Sequence, residues 1–171
     1  MRSVVLVDVT PGVDGEKSKV IADFINGPES FPSFDELLAR TIQYNPTRTE
    51  SSLRRGILHN ALQRDDGSWV WRYARFRTPP AEATEGASDA PADSTADFPR
   101  FSVLWDTVAE IKVPVMLARG MREQSVVDDA DEAKLLEILP DTRVEHVTEA
   151  GHSLQGDTPI EFAQLVVDFV P

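Results

Sequence analysis

Arg143-Val144-Glu145-His146-Val147-Thr148-Glu149-Ala150-Gly151-His152-Ser153-Leu154-Gln155-Gly156-Asp157-Thr158-Pro159 reads as a short strand, a tight glycine turn and the start of a final helix. Val144 and Val147 stand among polar residues from Arg143 to Thr148, and this β-branched mix before a glycine turn reads as a strand. Gly151 permits a turn that a Cβ would resist, so His152 is presented at the strand's carboxyl end. Thr158, Pro159 and Glu161 supply an N-cap, a favoured first helical residue and the partner of a capping box. The helix they open is apolar at Ile160, Phe162, Leu165, Val166, Phe169 and Val170. The carboxyl ends of strands are where open α/β sheets bind ligands. A loop histidine that only hydrogen-bonds its neighbours is the competing account of His152.

Upstream, Val113-Pro114-Val115-Met116-Leu117-Ala118 is a second strand, closed by Arg119-Gly120, with Pro114 near its start where a missing N–H is tolerated. Asp129 to Leu139 follows as an acidic-start helix ended by Pro140 and Asp141. Before that strand, Phe101, Val103, Leu104, Val108 and Ile111 form a helical stripe. Near the N-terminus, Val4-Val5-Leu6-Val7 is apolar on both faces and β-branched, the pattern of a buried parallel strand. Strand, helical insert, strand, helix, strand, helix is the order of a parallel α/β sheet. Right-handed crossovers bring Asp8, the loop from Gly120 to Asp129, and His152 to one edge of it. Three strands make a thin sheet, and a buried strand that begins at residue 3 leads us to expect others before it.

The sequence divides into a core strand and its loop over 1–13, a helical region over 14–110 and a second core unit over 111–171. Within the middle region, a helix from Asp14 to Ile25 carries Val20, Ile21, Phe24 and Ile25 on one face and stops at Gly27-Pro28. Ser33 and Glu36 open a second helix striped by Phe34, Leu37, Leu38 and Ile42 and ended by Asn45-Pro46. Thr49 or Ser51 caps a third, running through Leu53, Ile57, Leu58, Ala61 and Leu62, with Arg54, Arg55 and His59 opposite. Asp65-Asp66-Gly67-Ser68 is a turn, and Trp69 to Tyr73 reads as an extended arm packing on the helices. From Thr78 to Asp97 the chain is rich in alanine and proline, and Glu82, Glu85, Asp89, Asp93 and Asp97 are its only charges. Such a segment buries too little apolar surface to offset its ordering entropy, so a disordered insert is expected at 78–97.

A net charge of −12 argues against nucleic acid, which needs clustered Lys and Arg. No apolar run reaches membrane-span length, and the run after Met1-Arg2-Ser3 is too short for a signal peptide. The absence of cysteine excludes disulfides and thiolate sites and fits a cytoplasmic protein. None of the three histidines has the spacing of a metal site. Neither a metal nor another cofactor is expected.

Four pieces in this order resemble the C-terminal half of an α/β-hydrolase. They are Leu6-Val7-Asp8-Val9-Thr10-Pro11, Val113 to Gly120, Ser125-Val126-Val127-Asp128-Asp129, and Ala150-Gly151-His152 before the last helix. The resemblance implies a partial α/β-hydrolase fold: three parallel strands with flanking helices and a helical cap insertion. It makes His152 the general base, which takes a proton from a nucleophile and returns it to the leaving group. Its orienting acid stays open. Asp8 matches the place where some relatives carry it, and Glu123 and Asp128 are the alternatives. In the more familiar pattern the acid sits two before Val127, where this chain has Ser125. Asp8 could equally cap nearby N–H groups, and Asp128 could simply start a helix. Caps of this family roof the substrate pocket, so His59, Arg54 and Arg55 are candidate substrate contacts, although the arginines could instead pair with surface acids.

The family's nucleophile stands in a G-x-S-x-G elbow, and no such motif occurs in these residues. We therefore expect a truncated, esterase-like hydrolase, inactive alone, whose substrate is a carboxylic ester or similar small apolar molecule. A non-catalytic binding or complementation module is the alternative. The partner expected is the missing N-terminal half, or a second copy paired through the first strand.

Overall fold

The structure, a computed structural model, describes residues 2–13, 15–72 and 101–170, so the expected insert at 78–97 lies outside the described residues. Two small sheets organise them. The first holds β1 (Val4–Val7), β5 (Val115–Gly120) and β6 (Arg143–Val147) in the order β1-β5-β6. All its pairings are parallel, with Val4 beside Val115 and Met116 beside Arg143. β5 is central and buried at every position, whereas β1, at the edge, is half-buried throughout. Val4 N and Asp8 N donate to Pro114 O and Ala118 O at 2.9 and 2.8 Å. By strand alternation, the N–H groups of Val5 and Val7 face the open side.

Each face of this sheet buries its own cluster. Leu117 packs with Trp105, Val127 and Leu135 on one side, and Ala118 with Val147, Ala150 and Leu154 on the other. Each large apolar side chain so buried stabilises by about 1.5–3 kcal/mol. Trp105 arrives from a 3₁₀ turn at Phe101–Leu104 and the one-turn helix α4 (Trp105–Val108), so this part of the 14–110 region packs with the sheet. Arg119, 8% exposed, clamps α5 (Asp129–Ile138) to β5. Its Nε donates to Val127 O at 3.0 Å, and its two terminal nitrogens pair with Glu132 and Asp129 at 2.8 Å. His146 Nε2 on β6 meets the same Glu132 oxygen at 2.8 Å. Burial pushes the Glu132 carboxyl up, but the bonds from Arg119 and His146 outweigh it and hold the group below the usual glutamate range.

The inserted region has a separate core. It contains α1 (Lys19–Ile25), β2 (Ser30–Phe31), α2 (Phe34–Tyr44), α3 (Glu50–Asn60), β3 (Ala61–Gln63) and β4 (Trp69–Trp71). Phe31, Leu37, Leu38, Leu53, Ile57 and Ala61 are buried together. Ser33 and Thr49 cap α2 and α3 by accepting from Glu36 N and Ser52 N, which leaves Ser51 inside the helix.

Three boundaries differ from expectation. α1 starts only at Lys19 and buries none of its residues, with Val20 57% and Ile25 45% exposed. α3 stops at Asn60, because Ala61 to Gln63 pair antiparallel with β4 across the Asp65–Ser68 turn, and β2 pairs on β4's other edge. The last helix is in two pieces, α6 (Leu154–Asp157) and α7 (Pro159–Phe169). Gly156 N and Asp157 N donate to Ser153 O, which closes a turn immediately after His152. Thr158 stands at the N-cap of α7 without the expected side-chain cap, its Oγ1 directed at Leu154 O.

Candidate active site

β1 is followed by Asp8, whose φ of 46° lies in the left-handed region. Aspartate is among the few residues with a Cβ that visit that region readily. The turn sends its carboxylate toward the end of β5, where it is 0% exposed. Such a group needs its lone pairs filled, and four donors fill them. Oδ1 accepts from Gly120 N at 3.0 Å and Ser125 Oγ at 2.6 Å. Oδ2 accepts from Val126 N at 3.0 Å and faces His152 Nδ1 at 3.1 Å.

A carboxylate only accepts, so the neutral His152 ring that faces it carries its proton on Nδ1 and has Nε2 as its acceptor nitrogen. The ring is 35% exposed at a cleft of about 580 Å³. Close backbone packing fixes the loop that carries it. A Cβ on Gly120 would stand 2.2 Å from Gly151 O and 2.8 Å from Ala150 O, so only glycine permits this approach. Arg122 N donates to Ala150 O at 3.0 Å. Gly151 N donates to Asp157 Oδ2 at 2.9 Å, which ties the end of α6 back onto the loop.

The other acid candidates lie elsewhere. Glu123 is exposed at the cleft rim and accepts from Gln124 Nε2 at 3.2 Å. Asp128 is the N-cap of α5 in a reciprocal capping box with Asp131, and Lys17 Nζ meets it at 2.8 Å. The hydrogen bond from Lys17, with a backbone donor from α5, holds the Asp128 carboxyl below its usual range. Ser125 is a donor to Asp8, and its Oγ also accepts from Val127 N at 3.2 Å.

The residues offered as cap contacts do not line the cleft. His59, Arg54 and Arg55 are exposed on α3, and Arg54 pairs with Glu50 at 2.8 Å across one helical turn. The roof instead comes from α1 and the end of α2, through Val20, Ile21, Phe24, Ile25, Tyr44 and Pro46. Sequence periodicity marked the α1 stripe as apolar but not which space it faces. Lys17, Gln124 and Asp157 also line the cleft and were not singled out as site residues. Asp157 follows His152 closely in the chain, but nothing in the sequence shows that its carboxylate reaches back six residues to Gly151 N.

Parallel strands in this order, an acid loop after the first, a histidine loop after the third and a helical cap inserted between the first and second make the C-terminal half of an α/β-hydrolase fold. The chain is 35% identical over 170 residues to the esterase Rv0045c of Mycobacterium tuberculosis, a match that takes in 95% of this chain and 50% of that protein. A crystal structure of the same esterase superposes with a TM-score of 0.67 over 97% of this chain and 52% of that one. E-2-(acetamidomethylene)succinate hydrolase shares the fold, with a TM-score of 0.71 at 20% identity over 99% of this chain and 57% of its own. No family model matches the sequence. The chain spans about half the length of the curated relative it matches. Among the described residues, no helix is long and apolar enough to cross a membrane.

Proposed function

We propose that these residues are the acid–base half of an α/β-hydrolase acting on a carboxylic ester or similar small apolar substrate. The observation that carries this reading is the contact between His152 Nδ1 and Asp8 Oδ2 at 3.1 Å, with the acid otherwise saturated by Gly120, Ser125 and Val126. In this reading His152 Nε2 takes the proton of an attacking hydroxyl and returns it to the leaving alcohol. Asp8 holds the tautomer and offsets the imidazolium charge between those steps. A positioned base of this kind contributes about 10²–10⁴-fold to rate. The apolar roof of α1 and Tyr44 supports an apolar acyl or alcohol group in the cleft, and the esterase relative supports an ester as the bond cleaved.

The nucleophile and oxyanion donors come, on this proposal, from outside the 171 residues, which contain no G-x-S-x-G elbow. The open edge of β1 is where strands carrying them would pair. The test is hydrolysis of a short-chain p-nitrophenyl ester by this chain and by a form extended with the coding sequence upstream of Met1, each with a His152→Ala control. Turnover confined to the extended form and lost in His152→Ala is expected. Silence in both forms would move the assignment to a non-catalytic complementation module.

A further inference from the structure

The one-turn helix α6 follows His152 closely and is one of the places where the cap touches the core. Asp157 at its end has each carboxylate oxygen committed to a different element. Oδ2 accepts from the backbone N–H of Gly151, the residue just before His152, at 2.9 Å. Oδ1 accepts from Thr47 Oγ1 at 2.8 Å, in the turn between α2 and α3. One residue further along that turn, Arg48 lies across Gly156, its Cζ and Nε 2.9 Å from where a Cβ would stand. The same turn lines the cleft through Asn45, Pro46 and Thr47.

From this geometry we infer that Thr47 and Asp157 are positioning residues that couple the seating of the cap to the backbone carrying His152. The inference rests on the reading of His152 as the base, but its geometry does not depend on it. A carboxylate bridging two donors restrains both, so movement of the cap turn away from α6 removes one of the restraints on the Asp157 rotamer. The Gly151 N–H then loses a held acceptor. The turn is part of the cleft wall, so an occupant that presses the cap onto α6 tightens the His152 loop, and an empty, open cap loosens it. Neither residue touches the reacting atoms. They set how firmly Gly151 and His152 are held while Asp8 orients the ring.

The test compares Thr47→Val, Thr47→Ser and Asp157→Ala with the wild-type chain, reading amide exchange at Gly151 and the ring ¹⁵N signals of His152. Thr47→Val removes the hydroxyl at nearly constant volume, and Thr47→Ser restores it. We expect Gly151 exchange to quicken about fivefold or more in Thr47→Val and Asp157→Ala, the effect of losing one ordinary hydrogen bond. The His152 signals should move in both, and Thr47→Ser should return both readouts to wild type. If Asp157→Ala alone changes them, Asp157 braces the loop without the cap and the coupling is refuted. An unprotected Gly151 amide in the wild type would refute the bridge itself. Both outcomes are independent of ester turnover, so a failed hydrolase assignment is distinguishable from a failed coupling.

Discussion

Asp8→Asn tests the candidate site most directly. Asparagine accepts the left-handed backbone at φ 46° as readily as aspartate, so the turn is unstrained and only charge and one acceptor change. The carboxylate accepts from Gly120 N and Ser125 Oγ on one oxygen and from Val126 N and His152 Nδ1 on the other. An amide has one oxygen to offer. Placed toward Gly120 it turns an NH₂ at Val126 N, and placed toward Val126 it turns an NH₂ at Gly120 N. Either orientation leaves a buried backbone N–H without an acceptor, which costs about 1–3 kcal/mol. The remaining bonds lose their charge assistance, roughly another 1–2 kcal/mol in total. A loss of about 2–5 kcal/mol is therefore expected, a large share of a typical domain stability of roughly 5–15 kcal/mol. Urea unfolding followed by tryptophan fluorescence measures it as a fall in midpoint at constant slope. In the proposed hydrolase the same change lowers kcat at least about 100-fold, because the charge that offsets the imidazolium is gone. A stability loss under about 1 kcal/mol would refute the account of a four-donor carboxylate.

Three further outcomes are expected. Gly120→Ala places a Cβ 2.2 Å from Gly151 O, so β5 and the His152 loop must separate at a cost of about 1–3 kcal/mol or more; an unchanged urea midpoint would contradict this. The β1 edge should pair copies of the isolated chain, and Val5→Pro, which removes an outward N–H without touching the bonds to Pro114 and Ala118, should reduce that association in sedimentation velocity. A monomeric wild-type chain would sink that idea. Glu132 has a lowered pKa in the folded chain, so its contribution is fully present above the unfolded value of about 4.3 and is lost as pH falls through the depressed one. Glu132→Gln should thus flatten the loss of stability between pH 7 and pH 3, and a parallel acid profile would show that the Arg119–Glu132–His146 cluster contributes little.

The core strands were legible because their signals are local. Val4 to Val7 and Val115 to Ala118 are apolar on both faces, and the third strand is marked by the β-branched Val144, Val147 and Thr148 just before the Gly151 turn. Their parallel order followed from the helices between them. The inserted region was less legible where non-local pairing decides. Ala61 and Leu62 continue the helical stripe of α3, yet they are drawn into β3 by pairing with Trp71 and Val70, a register that no local propensity encodes. α1 shows the opposite limit. Its stripe predicts an amphipathic helix, but periodicity cannot say whether the apolar face meets a core or, as here, a cleft.

The candidate site was legible by residue type and loop, not by contact. Asp8 and His152 are 144 residues apart, and what brings them within 3.1 Å is that β1 and β6 flank β5 with the same polarity. Ser125 explains why the acid was hard to place. The donors around Asp8, apart from His152, come from the end of β5 and the loop after it: Gly120 N, Ser125 Oγ and Val126 N. Ser125 Oγ lies 2.6 Å from Asp8 Oδ1, so a side chain from that later loop reaches the carboxylate whose other oxygen faces His152. The two candidate positions for the acid are far apart in sequence but in contact in space. The loop lacking the carboxylate contributes the donors that saturate it. The serine two before Val127 therefore has a definite place: its hydroxyl is one of the donors that let a buried Asp8 carboxylate face the histidine.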